Sequence, residues 1–271
     1  MDSRFISITV NSTDGTQINY YTIGNGPGLV IVHGTFRMAK DYEQLALSLA
    51  DTFTVHLVER RGRGNSGPQG EDYNMAKEVE DVEAILRYTN SPFLFGHSFG
   101  GAVALEVALN KYPIKKFAIY EPAIIIDNPL PVHRLPAIYE ALDSGDYSKA
   151  FIGLMNILTE GAITEDKLTE MAASLVNSPV WPQMCELLQT IPAEMMAVHN
   201  NESDYAQYQF LQTRLLLMYG GNSQASTKNE NKILAEIIPN TETAEVANAG
   251  HNGPDVDDPQ QVADQLKQWF K

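Results

Sequence analysis

One pentapeptide in this sequence has both the residue types and the spacing for nucleophilic chemistry: Gly96-His97-Ser98-Phe99-Gly100. A serine hydroxyl is a weak nucleophile until a base takes its proton, so it must stand where an imidazole can reach it. The apolar run 93–95 before the motif predicts a buried strand, and the stretch 101–110 after it predicts a helix. Ser98 then falls at the sharp turn between them. A turn that tight brings neighbouring backbone against itself, which accounts for glycine two residues before and two residues after the serine. The first amides of the helix would face negative charge developing beside Ser98. A bare Gly-x-Ser-x-Gly arises by chance in roughly one chain of this length in ten. The strand before it and the helix after it lower that by about tenfold more, so the motif reads as functional.

Six histidines compete for the role of base. His56 lies mid-strand, His33 and His97 are neighbours of the motifs, and His133 and His199 fall in a long segment without sheet strands. A structural role is the default for a lone histidine. His251 differs in standing after the last strand and before the terminal helix.

The elements that must hold these residues follow from hydrophobic periodicity. Residues 4–10 and 17–23 alternate around Asp14-Gly15, which predicts an opening hairpin. Continuous apolar runs at 29–32, 53–58, 93–95 and 117–120 suit strands buried on both faces. Helix-period segments at 41–49, 75–88 and 100–110 separate them. In the second, Met75, Val79, Val82, Ile85 and Leu86 form one apolar stripe. Alternating strand and helix predicts a parallel sheet built from right-handed crossovers. The pattern resumes at 214–219, 228–238, 243–247 and 259–270, completing eight strands. Residues 123–212 instead read as a helical insertion, broken by Pro129, Pro131, Pro136, Pro179, Pro182 and Pro192. The expected division is a core of 1–122 and 213–271 with a helical cap of 123–212. Met155, Met171, Met184, Met195 and Met196 fall in the insertion, where helix packing is a better reading than a pocket lining.

A formal net charge of -15 has the wrong sign for gripping a phosphate backbone, so nucleic acid is not an expected partner. Arg60, Arg61 and Arg63 are the only dense basic cluster, and the glycine-rich turn around them reads as structural. The lone Cys185 excludes an internal disulfide framework and reads as a buried small hydrophobe. The N-terminus lacks a basic and then apolar leader, and no apolar run approaches the ~20 residues of a membrane span. A cytoplasmic protein with no membrane partner is expected.

The pentapeptide in its strand-turn-helix context, with three further segments, resembles the α/β-hydrolase superfamily over nearly the whole chain outside the insertion. His33-Gly34-Thr35 looks like that family's oxyanion loop, Glu59-Arg60-Arg61-Gly62-Arg63-Gly64-Asn65-Ser66 like its loop after the next strand, and Ala249-Gly250-His251 like the segment carrying its catalytic histidine. The resemblance implies an eight-stranded, mostly parallel sheet, Ser98 as nucleophile, His251 as general base, and the Thr35 and Phe99 amides as an oxyanion hole. It also exposes a departure. Most of the family carries the triad acid three residues after the glycine ending strand seven, and Tyr219-Gly220-Gly221-Asn222-Ser223 has serine there. Some relatives carry the acid after strand six, which Ile119-Tyr120-Glu121-Pro122 fits. Glu121 is therefore the expected acid, with Asp255, Asp127 or no acid at all as alternatives.

These residues would perform acyl transfer without cofactor or metal on a small-molecule substrate, a carboxylic ester first. Thioester hydrolysis, carbon-carbon bond hydrolysis and cofactor-free peroxidation use the same machinery. A ligand receptor that kept the fold without the chemistry is the alternative of another class.

Overall fold

A computed structural model describes residues 1–126, 129–159, 161–201 and 205–271. One sheet runs through it, made of β1 (Ile6–Asn11), β2 (Gln17–Ile23), β3 (Gly28–Val32), β4 (Thr54–Val58), β5 (Phe93–His97), β6 (Lys116–Tyr120), β7 (Arg214–Gly220) and β8 (Thr241–Val246). Their spatial order is β1-β2-β4-β3-β5-β6-β7-β8. The pairs β1-β2 and β2-β4 are antiparallel, and the remaining pairs are parallel. Helices α1 (Glu43–Leu49), α2 (Met75–Thr89) and α3 (Phe99–Leu109) connect the strands up to β6. Between β6 and β7 lie α4 (Leu135–Asp143), α5 (Tyr147–Leu158), α6 (Glu165–Val176), α7 (Trp181–Leu188) and α8 (Ile191–His199). Finally α9 (Ala225–Ile237) joins β7 to β8, and α10 (Pro259–Trp269) closes the fold.

The central strands serve both faces of the sheet because successive side chains point opposite ways. Val30, Val32 and Leu94 pack with Val82 of α2 and Leu105 of α3 on one side. Leu29, Ile31 and Phe95 pack with Leu45 of α1 and Leu266 of α10 on the other. The stripe Met75, Val79, Val82, Ile85 and Leu86 is buried throughout. Asn74 caps that helix by accepting the Lys77 N–H, and Asn90 ends it in the left-handed conformation. Residues 99–108 of α3 are all buried, so the helix that carries Ser98 at its N-terminus runs through the interior.

The inserted helices have an apolar cluster of their own, including Leu135, Phe151, Leu154, Leu188, Ile191 and Met195. Met155, Met171, Met184 and Met196 pack half-buried against it, as helix packing requires. Pro136, Pro182 and Pro192, which look like breakers in sequence, sit in the first turns of α4, α7 and α8. The first turn has no intrahelical use for the missing N–H. Cys185 is half-buried rather than buried, because it lies on α7 at the edge of this cluster. No helix among the described residues is long and apolar enough to cross a membrane.

The arginine cluster is internal. Arg60, Arg61 and Arg63 are each at most 2% exposed. Arg61 forks onto Asp81 with both contacts at 2.7 Å, and Arg60 forks onto Glu78 at 2.8 and 3.0 Å. Removing one partner of such a pair strands the other charge in the interior, at a cost of roughly 3 to 5 kcal/mol.

Three buried histidines link stability to pH. Burial pushes His56 down to about 4 and holds His33 and His97 well below the ordinary 6.5. The unfolded chain therefore binds more protons than the folded one once the pH drops below that ordinary value, and stability falls with it. Each histidine steepens the fall by up to about 1.4 kcal/mol per pH unit, for His56 until about pH 4. Urea unfolding at about pH 7.5 and about pH 5 should show the more acidic sample clearly less stable; equal midpoints would contradict neutral burial.

Candidate active site

Ser98 occupies the turn from β5 into α3 with φ 53° and ψ -118°. A non-glycine residue there costs of order 1 to 3 kcal/mol and persists only where the surroundings impose it. They do so by close approach: a Cβ on Gly96 would stand 2.1 Å from the Gly100 carbonyl oxygen, and one on Gly100 would stand 2.2 Å from that of Val32. The Ser98 N–H donates to the Tyr120 carbonyl at 2.9 Å, while the Ser98 carbonyl accepts from Gly101, Ala102 and Ala123. Both peptide groups of the serine are thereby held and its side chain is left half-buried. Its Oγ has no hydrogen-bond partner among the described residues.

Glu121 follows β6 directly, also at positive φ (41°). Its N–H donates to the Met218 carbonyl at 3.1 Å, which turns the side chain across the C-terminal end of β7. Oε1 accepts the Gly220 N–H at 2.8 Å and the Ser223 hydroxyl. Oε2 faces His251 Nδ1 at 2.8 Å. Burial alone would raise this carboxyl group, but the hydrogen bonds from His251, Gly220 and Ser223 outweigh it and hold Glu121 below its ordinary value. The serine at the position where most of the superfamily places its acid thus donates a hydrogen bond to the acid one strand away.

His251 stands in the turn after β8, its ring half-exposed at 50% while the Glu121 side chain is fully enclosed. With Nδ1–H donating to Glu121, the lone pair of Nε2 is the basic one. Three side chains from elsewhere in the chain hold the turn. His97 Nε2 donates to the His251 carbonyl at 2.8 Å, Tyr120 Oη donates to the Gly250 carbonyl at 2.7 Å, and Arg37 holds both Asp255 and Asn252 Oδ1. Asp255 is engaged by Arg37, not by the imidazole. Asp127, another carboxylate considered from sequence, lies outside the described residues.

The loop after β3 passes the serine closely, since a Cβ on Gly34 would lie 3.0 Å from Ser98 Cβ. Tyr42 Oη accepts the Gly34 N–H at 3.2 Å and donates to His97 Nδ1, so one phenol links this loop to the histidine turn. The backbone amides of Thr35 and Phe99 find no acceptor among the described residues. Sequence reading missed Tyr42, Arg37 and Ser223, and treated His97 only as a motif neighbour. Each acts through a partner at least 55 positions away, and only Ser223 carried a signal, as the substituted acid position.

A cavity of about 240 Å³ lies between the start of α2, the segment after β6 and the end of α8, and none of Ser98, Glu121, His251, Thr35 or Phe99 lines it. Met75, Ala123, Ile124 and Val198 give it apolar walls, with Asn201 and Tyr205 among its polar groups. Ala123 is the residue whose N–H meets the Ser98 carbonyl.

A sheet of this order, a strained serine after strand five and a histidine after the last strand define a class of hydrolase folds. The chain belongs to the alpha/beta hydrolase family, whose family model matches residues 29–265. It is similar to a solved alpha/beta hydrolase from Sphaerobacter thermophilus DSM 20745, with TM-score 0.84 and 30% identity over 97% of this chain and 100% of that one. It shares the fold of the esterase RhEst1 from Rhodococcus sp. ECU1013, with TM-score 0.71 and 23% identity over 97% of this chain and 98% of that one. Among curated proteins, a pimeloyl-[acyl-carrier protein] methyl ester esterase of Aeromonas hydrophila is 36% identical over 95 residues, 35% of this chain and 37% of that protein. The chain spans only about a third to a half of the curated relatives it matches.

Proposed function

We propose that this chain hydrolyses small carboxylic esters through an acyl-enzyme on Ser98. The observation that carries the reading is the 2.8 Å contact between His251 Nδ1 and the buried Glu121, beside a serine held at positive φ. In this reading His251 Nε2 takes the Ser98 proton as Oγ attacks the ester carbonyl. The Thr35 and Phe99 amides receive the oxygen that becomes an oxyanion, each contributing about 3 to 4 kcal/mol to the lowering of the barrier. His251 then protonates the departing alcohol, and a water activated by the same nitrogen releases the acid. Glu121 stays ionised throughout and stabilises the imidazolium.

Esterase relatives support a carboxylic ester over the other acyl substrates. The helices of 123–212 act as a cap in this proposal, supported by the Phe36–Phe151 ring contact at 6.4 Å and by the hydrogen bond from Thr35 to α8.

A fluorophosphonate probe should label the folded protein, and Ser98→Ala should abolish both labelling and turnover of p-nitrophenyl acetate and butyrate. Folded protein that neither reacts with the probe nor turns over any ester in a chain-length series would leave the receptor reading in its place.

A further inference from the structure

The buried ion cluster touches both residues assigned to the oxyanion hole, and one of its members comes from the inserted helices. Glu194 of α8 is 1% exposed. Its Oε2 accepts the Thr35 hydroxyl at 3.0 Å. Its Oε1 is shared by two guanidinium groups, Arg63, which donates through Nη2, and Arg60 at 3.2 Å. Arg60 in turn has its Cζ over the Phe99 ring, 4.0 Å from the centroid, and is held by Glu78. Arg63 also donates to the Thr190 hydroxyl one turn before Glu194. The backbone N–H of Arg60 reaches His33 Nε2 at 3.4 Å, and His33 Nδ1 meets the Gly34 carbonyl at 2.9 Å, so the same loop braces the oxyanion strand end a second time.

We infer that Glu194 is a positioning residue for the oxyanion hole: through Thr35 directly, and through Arg60 against Phe99, the inserted helix α8 sets where the two amides point. This rests on the assignment of those amides above. The loop needs such an anchor, because Phe36, the residue after Thr35, is held at φ 60°, a conformation that an unsupported loop would leave. Two guanidinium groups facing two carboxylates also keep the cluster near neutrality, so neither oxyanion donor sits beside an uncompensated buried charge. A misplaced amide weakens binding of the oxyanion while leaving ground-state binding almost untouched, so the loss falls on kcat.

The test compares Thr35→Val, Thr35→Ser and Glu194→Gln with the wild-type protein on p-nitrophenyl acetate, with fluorophosphonate labelling of each. Valine keeps the shape of Thr35 and removes the donor, serine keeps the donor, and glutamine cannot both accept from Thr35 and face Arg63 with the same pair of atoms. Thr35→Val and Glu194→Gln should each lower kcat by about tenfold or more with KM within about twofold. Thr35→Ser should recover most of the loss, and the double variant should be no slower than Glu194→Gln alone, since both remove one linkage. If Glu194→Gln does not fold, the valine and serine pair decides. A Thr35→Val enzyme with kcat within about twofold of wild type, or a Thr35→Ser enzyme as slow as Thr35→Val, would overturn the inference. Wild-type protein whose Ser98 is not labelled would instead remove the underlying esterase reading, and the inference with it.

Discussion

Replacing Glu121 by glutamine is expected to lower kcat by about 10⁴ while leaving the melting temperature within a few degrees of wild type. Glutamine has the same shape, so the Gly220 and Ser223 contacts to Oε1 survive. What changes is the group facing His251 Nδ1. A carboxylate accepts the Nδ1 proton and so leaves Nε2 as the base, whereas an amide nitrogen turned toward the ring donates to Nδ1 and puts the proton on Nε2. The imidazolium formed during attack also loses its counter-charge. Ser223 provides the sharper half of the experiment. Its hydroxyl already touches the Glu121 carboxylate, so Ser223→Asp would place a new carboxylate against the same buried pocket. The double variant Glu121→Gln with Ser223→Asp is expected to recover part of the lost turnover. Steady-state kinetics beside a thermal unfolding curve checks both outcomes. A Glu121→Gln enzyme within about tenfold of wild-type kcat would show that the hydrogen bond is architectural only.

Gly96→Ala is expected to lower stability by about 3 kcal/mol or more and to abolish turnover together with it. The added methyl carbon would stand 2.1 Å from the Gly100 carbonyl oxygen, 2.5 Å from its carbon and 2.8 Å from Gly101 Cα. All three are backbone atoms, so no side-chain rotation relieves the contact. The first turn of α3 would have to move away from β5, taking Ser98 out of its left-handed conformation and the Phe99 amide away from the serine. For a chain of this size the loss corresponds to a fall in melting temperature of roughly 6 to 12 °C. A melting point within about 2 °C of wild type would mean that the elbow is looser than its geometry implies.

Much of this architecture was legible in the residues. The alternation of 17–23 and the continuous runs at 29–32 and 117–120 are local patterns, and each forms the strand it predicts. The stripe from Met75 to Leu86 repeats at the helical period and is buried as one face. Gly96 and Gly100 flank the serine because backbone passes within van der Waals reach of both, a constraint local enough to be written into a pentapeptide. Less was legible where partners are far apart in the chain. The glycine-rich arginine loop suggested a structural role, but nothing in its spacing named Glu78, Asp81 or Glu194 as counter-charges. Asp255 stood close to His251 in sequence and so invited a catalytic role, yet its carboxylate goes to Arg37.

The amino-acid sequence alone determined the order and kind of the elements and the strained turn that carries Ser98. Periodicity and glycine stereochemistry act over a few residues and need no knowledge of distant contacts. Tertiary structure decided which carboxylate meets the imidazole and what lies behind the loop at Thr35. Those contacts join residues 130 and 159 positions apart; the order of strands β6, β7 and β8 in the sheet brings the first to hydrogen-bonding distance, and the packing of the inserted helix α8 on the loop after β3 brings the second.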